Sequence, residues 1–211
     1  MSIARDGLPY ILIPAVISLA LLGLGYWYGP AYWYAALPFI LVAAFMAYFF
    51  RDPKREPPQD IAAVVAPADG RVTRVGTIAD APDSPTLVSI FLSPLDVHIN
   101  RAPIAGTVTN ISYMRGKFLM ATDKSASLVN EQNVLTIQGD KITVVCKQIA
   151  GILARRIICW KHAGEHVNLG ERFGLIKFSS RTDVLLPVGV EVLVTEGMRV
   201  RGGVTIIGRI K

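Results

Sequence analysis

The chain has 211 residues, 52% of them hydrophobic, with a formal charge of +6 and a mean hydropathy of +0.42. That length holds one modest domain plus an appendage. Such an apolar composition excludes an ordinary soluble protein. From Leu8 to Phe50 there is no Asp, Glu, Lys or Arg. A spanning helix needs about 20 apolar residues. Two such segments are predicted, 8–28 and 31–50, split by the turn signal Gly29-Pro30. A cleaved signal peptide would show one shorter apolar core, so residues 1–50 are expected to form a membrane-anchoring helical hairpin. Arg5 precedes it, Arg51, Lys54 and Arg55 follow it, and the turn is uncharged. Basic flanks stay on the cytoplasmic side. The expected location is therefore a bacterial-type inner membrane, with the folded domain on the cytoplasmic face.

Residues 51–60 are polar and proline-rich and read as a stiff linker. The first sixty residues carry four basic and four acidic side chains, so the whole excess of +6 lies in residues 61–211. A tethered basic body is drawn to anionic phospholipid headgroups. Nucleic acid is the competing partner, but the chain carries no nucleic-acid motif and none is expected.

Residues 61–211 show short runs rich in Val, Ile and Thr at 71–77, 86–93, 104–113, 133–138, 141–148, 174–179, 182–187, 190–194 and 203–210. Gly, Pro, Asn or Asp punctuate them, the signature of a mostly β domain. Residues 117–131 are the best short-helix candidate, and 147–159 fits strand or helix equally. The C-terminus places two apolar strands around a Glu196-Gly197 turn. The fold class expected is a flattened β-barrel or sandwich resembling biotinyl and lipoyl carrier domains, with short helices. A carrier would need a lysine in that turn, which reads Glu196-Gly197-Met198-Arg199. Cys146 and Cys159 form no C-x-x-C and read as buried thiols.

Four segments could carry chemistry. Asp69 sits in Ala66-Pro67-Ala68-Asp69-Gly70, where it could equally cap its own turn. His98 lies in the loop Ser93–Pro103 beside Asp96, Asn100 and Arg101, at a strand end where functional groups concentrate. Arg155 and Arg156 form either a solvated edge or a phosphate clamp, since a guanidinium fork matches phosphate geometry. Ser179 and Ser180 interrupt a strand-like run, as a serine pair at a bulge would. His162 and His166 are four apart, but Gly164 lies between them and no third ligand is near, so no metal site is expected.

Taken in order, Phe-Phe-Arg-Asp-Pro (49–53), Pro-Ala-Asp-Gly (67–70), the Ser93–Pro103 loop, Gln148–Arg156 and Gly170–Pro187 resemble the short form of the phosphatidylserine decarboxylase family. The archaetidylserine decarboxylases share this architecture. The resemblance implies a proenzyme that cuts itself between Ser179 and Ser180 and turns Ser180 into a pyruvoyl group, its only cofactor. It implies that His98 takes the Ser180 proton while Asp69 orients the imidazole or stabilises its charge. It further implies decarboxylation of phosphatidylserine to phosphatidylethanolamine, with Arg155, Arg156 and Arg101 as the substrate-binding arginines. The expected partners are an anionic membrane, the lipid substrate, the cleaved small chain 180–211 and a second copy in a dimer.

Two positions depart from the family. Its usual glycine before the cleaved serine is Ser179 here, and a second histidine found in longer relatives is Arg101. A membrane-tethered carrier domain is the alternative reading. A serine hydrolase using Ser180, His98 and Asp69 is a third, though it lacks a G-x-S-x-G elbow.

Overall fold

The computed structural model describes residues 2–78, 84–121, 123, 125–152, 156–178 and 180–211. Ser179 and Arg155 therefore lie outside the described residues. The chain falls into two compact units, Met1–Lys54 and Arg55–Lys211.

In the first unit, strand β1 (Ser2–Ile3) precedes helices α1 (Leu8–Tyr28) and α2 (Ala31–Phe49), and β2 (Arg51–Asp52) pairs back on β1. Gly29 turns the chain at φ +108, which an L side chain rarely tolerates. The helices meet where Gly25 leaves room for Trp33, whose indole N–H donates to the Leu22 carbonyl at 3.3 Å. Both helices are long and apolar enough to cross a membrane, and their large apolar side chains point outward. Pro14 and Pro38 lie inside them, and both helices continue through.

The second unit is built from strands β3 (Ala63–Val65), β4 (Gly70–Thr77), β5 (Thr86–Leu92), β6 (Ile99–Arg101), β7 (Gly106–Met114), β8 (Gln132–Gln138), β9 (Thr143–Ala150), β10 (Arg156–Cys159), β11 (His166–Val167), β12 (Arg172–Lys177), β13 (Ser180–Leu186), β14 (Val190–Val192), β15 (Arg199–Val200) and β16 (Ile206–Ile210). One short helix, α3 (Ala126–Val129), occupies a small part of the stretch 117–131. The region 147–159 resolves as strand.

Eight strands form one antiparallel sheet in the order β11-β7-β8-β9-β13-β5-β4-β15. Two three-stranded sheets, β10-β12-β6 and β14-β16-β3, complete the unit. The fold is mostly β, as the Val/Ile/Thr runs predict.

The period-two pattern of the strands decides which face is core. On the inner face lie Val72, Val88, Ile90, Leu92, Leu135, Ile137, Val144, Cys146, Val184 and Leu186, all buried in one cluster. Burial pushes the Cys146 thiol pKa far up, leaving an inert core side chain. On the outer face Arg181 and Asp183 form a buried ion pair, Nε to Oδ1 at 2.8 Å and Nη2 to Oδ2 at 2.9 Å. Arg181 also donates to the carbonyls of Ala121 and Asp123 at 3.2 and 3.1 Å. It thereby fastens the 115–131 lobe to the sheet.

Gly70 opens β4 at φ +152, and a Cβ there would lie 2.1 Å from the Phe91 carbonyl oxygen. Gly70→Ala is therefore expected to cost about 2–3 kcal/mol through clash and strain. A thermal melt of the purified chain should show a midpoint lowered by several degrees.

Candidate active site

Ser180 begins β13, the central strand between β5 and β9. Its register partners are Leu92 on one side and Ala150 on the other. The side chain is fully buried, and its Oγ has no hydrogen-bond partner among the described residues. Two residues earlier, Phe178 holds a left-handed backbone at φ +63. That is a strained conformation for a bulky side chain.

The loop that follows Leu92 runs from the neighbour of Ser180 to the neighbour of β12. At its far end the His98 carbonyl accepts from the Ile176 amide at 3.2 Å, and Ile99 pairs with Leu175. The loop therefore runs between the strand beside Ser180 and the strand beside β12, and His98 within it is wholly buried. The His98 ring meets the backbone carbonyl of Asp96 through Nδ1 at 3.0 Å. A carbonyl only accepts, so Nδ1 carries the proton and Nε2 presents a basic lone pair. The Asp96 carboxylate stiffens the loop. Oδ2 accepts from the Ser93 amide and hydroxyl, both at 2.8 Å, and Oδ1 from Arg199 at 3.0 Å.

Asp69 precedes Gly70, which stands one step beyond the Arg71–Phe91 pair and so opposite Leu92. Two strand spacings separate Gly70 from Ser180, roughly 10 Å. Asp69 accepts from Arg55 at 2.7 Å through Oδ2 and from the Gly202 amide at 2.7 Å through Oδ1. Burial raises its carboxyl pKa, Arg55 and the Gly202 amide pull it back, and the nearby Asp96 charge adds a smaller upward push. The orienting bond seen on the imidazole thus comes from Asp96, while Asp69 sits within electrostatic reach of the same loop.

A polar row lies between Ser180 and the apolar core. Asn133, Gln148 and Thr182 are register neighbours on β8, β9 and β13. Asn133 Nδ2 donates to Gln148 Oε1 at 2.9 Å, and Gln148 Nε2 to Asn100 Oδ1 at 2.9 Å. Asn100 Nδ2 donates in turn to Thr182 Oγ1 at 2.9 Å. All four are buried. The chain of bonds ties β6 across to β13. Sequence reading gives no role to Asn133 or Thr182, and names Asp96 only as a member of the His98 loop. The available signal was polar residues at inward positions of otherwise apolar strands.

The arginines separate. Arg156 is exposed on β10, in register with Lys177. Arg101 is buried, and its Nη1 donates to the Gly170 carbonyl at 3.2 Å. His166 is exposed on β11. Among the described residues no group of three His, Cys, Asp or Glu is placed to hold a metal.

The serine, the histidine loop and the aspartate turn are thus gathered at one end of the main sheet. A family-wide profile for phosphatidylserine decarboxylase matches residues 42–208. The phosphatidylserine decarboxylase proenzyme of Solibacter usitatus is 48% identical over 209 residues, covering 99% of this chain and 97% of that protein. That of Geobacter sulfurreducens is 42% identical, covering 98% and 95%. That of Gluconobacter oxydans is 51% identical over 180 residues, covering 81% and 79%.

The chain belongs to the phosphatidylserine decarboxylase family.

Within that family frame, the Arg55–Asp69 pair makes a pH prediction. Arg55→Gln removes the cation that lowers the Asp69 pKa, so that pKa rises further and the carboxylate protonates at higher pH. The acid limb of self-cleavage against pH should move upward in the variant. An unmoved limb would show that the Asp69 charge is not used.

Proposed function

We propose that this chain cleaves itself before Ser180, converts that serine to a pyruvoyl group, and then decarboxylates phosphatidylserine to phosphatidylethanolamine. Family membership supports the reaction class. The observation that carries the site is the buried Ser180 Oγ, which has no hydrogen-bond partner among the described residues and lies at the strand end from which the His98 loop departs. An unsatisfied buried hydroxyl is costly, and here it fits a group held ready to react.

His98 Nε2 takes the Ser180 proton, and Oγ attacks the carbonyl carbon of residue 179. The amide nitrogen leaves that carbon and gains a proton, so the peptide becomes an ester. Removal of the Ser180 α-proton expels the residue 179 carboxylate, which becomes the new chain end. The remaining enamine tautomerises, and water releases its nitrogen as ammonia. Asp69 supplies negative charge against the imidazolium, and Asp96 holds the ring's tautomer through its carbonyl. The left-handed turn at Phe178 keeps the backbone short of a relaxed strand just before the bond that breaks.

The finished ketone supplies an electron sink for loss of carbon dioxide from the bound substrate amine. The return of a proton to the substrate α-carbon is assigned to His98. The departing carboxylate should meet no tight cation, because holding it would slow its loss. Exposed Arg156 is assigned to the lipid phosphate, with Arg155 beside it in sequence. Buried Arg101, bonded to Gly170, orders the loop at the site's edge.

The hairpin is assigned to the membrane. Tyr26, Trp27, Tyr28, Tyr32, Trp33 and Tyr34 cluster at its turn, as interfacial aromatics do. Arg51 stacks over Tyr48 at 3.8 Å at the other end. With basic residues on both chain ends, the catalytic unit faces the cytoplasm.

Ser180→Ala should leave a single uncut band on a denaturing gel and no decarboxylase activity. Ser179→Gly should speed cleavage about five- to thirtyfold, the release of roughly 1–2 kcal/mol if the step needs a left-handed residue there. Cleavage that persists in Ser180→Ala would overturn the proposal.

A further inference from the structure

We infer that the 115–131 lobe is a second membrane contact, which sets the rim of the Ser180 site into the headgroup region of the bilayer. This rests on the lipid reading of the site, and its test separates the two.

The lobe is a built structure. Its neck is closed by Lys117 N–H to the Val129 carbonyl at 2.7 Å and Glu131 N–H to the Lys117 carbonyl at 3.0 Å. Gly116 permits that closeness, since a Cβ there would lie 2.4 Å from the Val129 carbonyl oxygen. Buried Asn130 grips the backbone of Leu119 in both directions, at 3.0 and 2.9 Å, and donates to the Ala150 carbonyl at 2.8 Å. The Ala150 amide donates to the Glu131 carbonyl at 2.9 Å. Ala150 is the register partner of Ser180. Phe118 packs against Ala150 and Ile176, and Arg181 holds the lobe from the outer face. The lobe therefore caps the sheet end where Ser180 lies.

A structure so firmly held should bury its apolar side chains. Instead Leu128 is 77% and Met120 60% exposed, with Leu119 and Val129 at 37%. The register extends this surface around the site. Two residues past Ala150, Ile152 is 50% exposed. Three past Leu92, on the other side of Ser180, Leu95 is 62% exposed. Apolar side chains thus fringe the buried serine from both flanks. A clustered exposed apolar patch marks an interaction surface.

Charge selects the occupant. In sequence, residues 115–131 carry Arg115, Lys117 and Lys124 against Asp123 and Glu131, and the two carboxylates accept from Ser125 and Tyr113 respectively. Apolar residues flanked by cations suit an interface containing anionic lipid. The geometry of delivery agrees. Ser180 is wholly buried, and a headgroup still attached to its acyl chains can reach it only if the rim lies at headgroup depth.

The test uses the full chain in vesicles of phosphatidylcholine and phosphatidylserine. A polarity-sensitive fluorophore is placed at Met120→Cys or Leu128→Cys in a Cys159→Ser background, Cys146 being buried. The control is Val188→Cys, 58% exposed just past the far end of β13. Probes at 120 and 128 should shift to the blue and be quenched by acyl-chain nitroxides, while the probe at 188 reports water. Equal water exposure at all three positions overturns the inference. Shielding that nitroxides do not quench, and that grows with protein concentration, assigns the surface to a second copy and also overturns it.

A functional arm uses the double variant Met120→Ser with Leu128→Ser. It should still self-cleave, and its turnover of vesicle phosphatidylserine should fall about tenfold relative to a short-chain monomeric phosphatidylserine. An equal fall on both substrates contradicts the inference. Loss of self-cleavage in Ser180→Ala but not in this variant keeps the catalytic reading separate.

Discussion

The in-register clamping of β13 between β5 and β9 is the constraint on which the site depends. It places Ser180 opposite Leu92 and Ala150 at the last rung of the ladder. One rung further the β5 chain must leave the sheet, and it leaves as the loop that carries Asp96 and His98. The Asp69 turn arrives on the next strand over, at the same level. A slip of one residue would turn Ser180 to the outer face and bring Arg181 inward. The Arg181–Asp183 ion pair, which needs the outer face and the lobe carbonyls, opposes that slip. Breaking such a buried pair by removing one partner costs several kcal/mol.

The inner face grades from oily to polar along the strands. Leu135, Cys146, Val184 and Val88 form a wholly apolar rung. The next rung is Asn133, Gln148, Thr182 and Ile90, and the one after holds Ser180. Satisfied buried amides rigidify their surroundings, whereas an unsatisfied one is destabilising. Here each amide is used, and Asn100 carries the bonding across to the second sheet. The Ser180 hydroxyl, one rung on, has no hydrogen-bond partner among the described residues. The fold thus sets an unsatisfied serine hydroxyl next to a row of amides that satisfy one another.

Much of this was legible beforehand. The apolar runs predicted at 86–93, 133–138 and 182–187 correspond to β5, β8 and β13 within a few residues, because alternation and turn residues mark them directly. The hairpin helices were legible from the absence of charge alone. The roles given to Ser180, His98 and Asp69 rest on family resemblance, since each alone also reads as a turn or strand-end residue. The second sheet was not legible: β6 and β10 are three and four residues long, and long-range pairing defines them. The stretch 117–131 does contain a short helix, confined to α3. Its polar and small residues suit a helix locally, but Asn130 spends its side chain on Leu119 and Ala150, and the neck bonds tie Lys117 to Val129 and Glu131. The Asp96 carbonyl on His98 could not be read from sequence, because backbone geometry sets it.

The most direct test is the intact mass of the small chain beginning at residue 180, released from purified protein. The account predicts a terminus lighter than a free seryl end by one ammonia, and restored to a reducible ketone's reactivity with borohydride. A small chain with an ordinary serine terminus, or an uncut chain that decarboxylates its lipid, would contradict it.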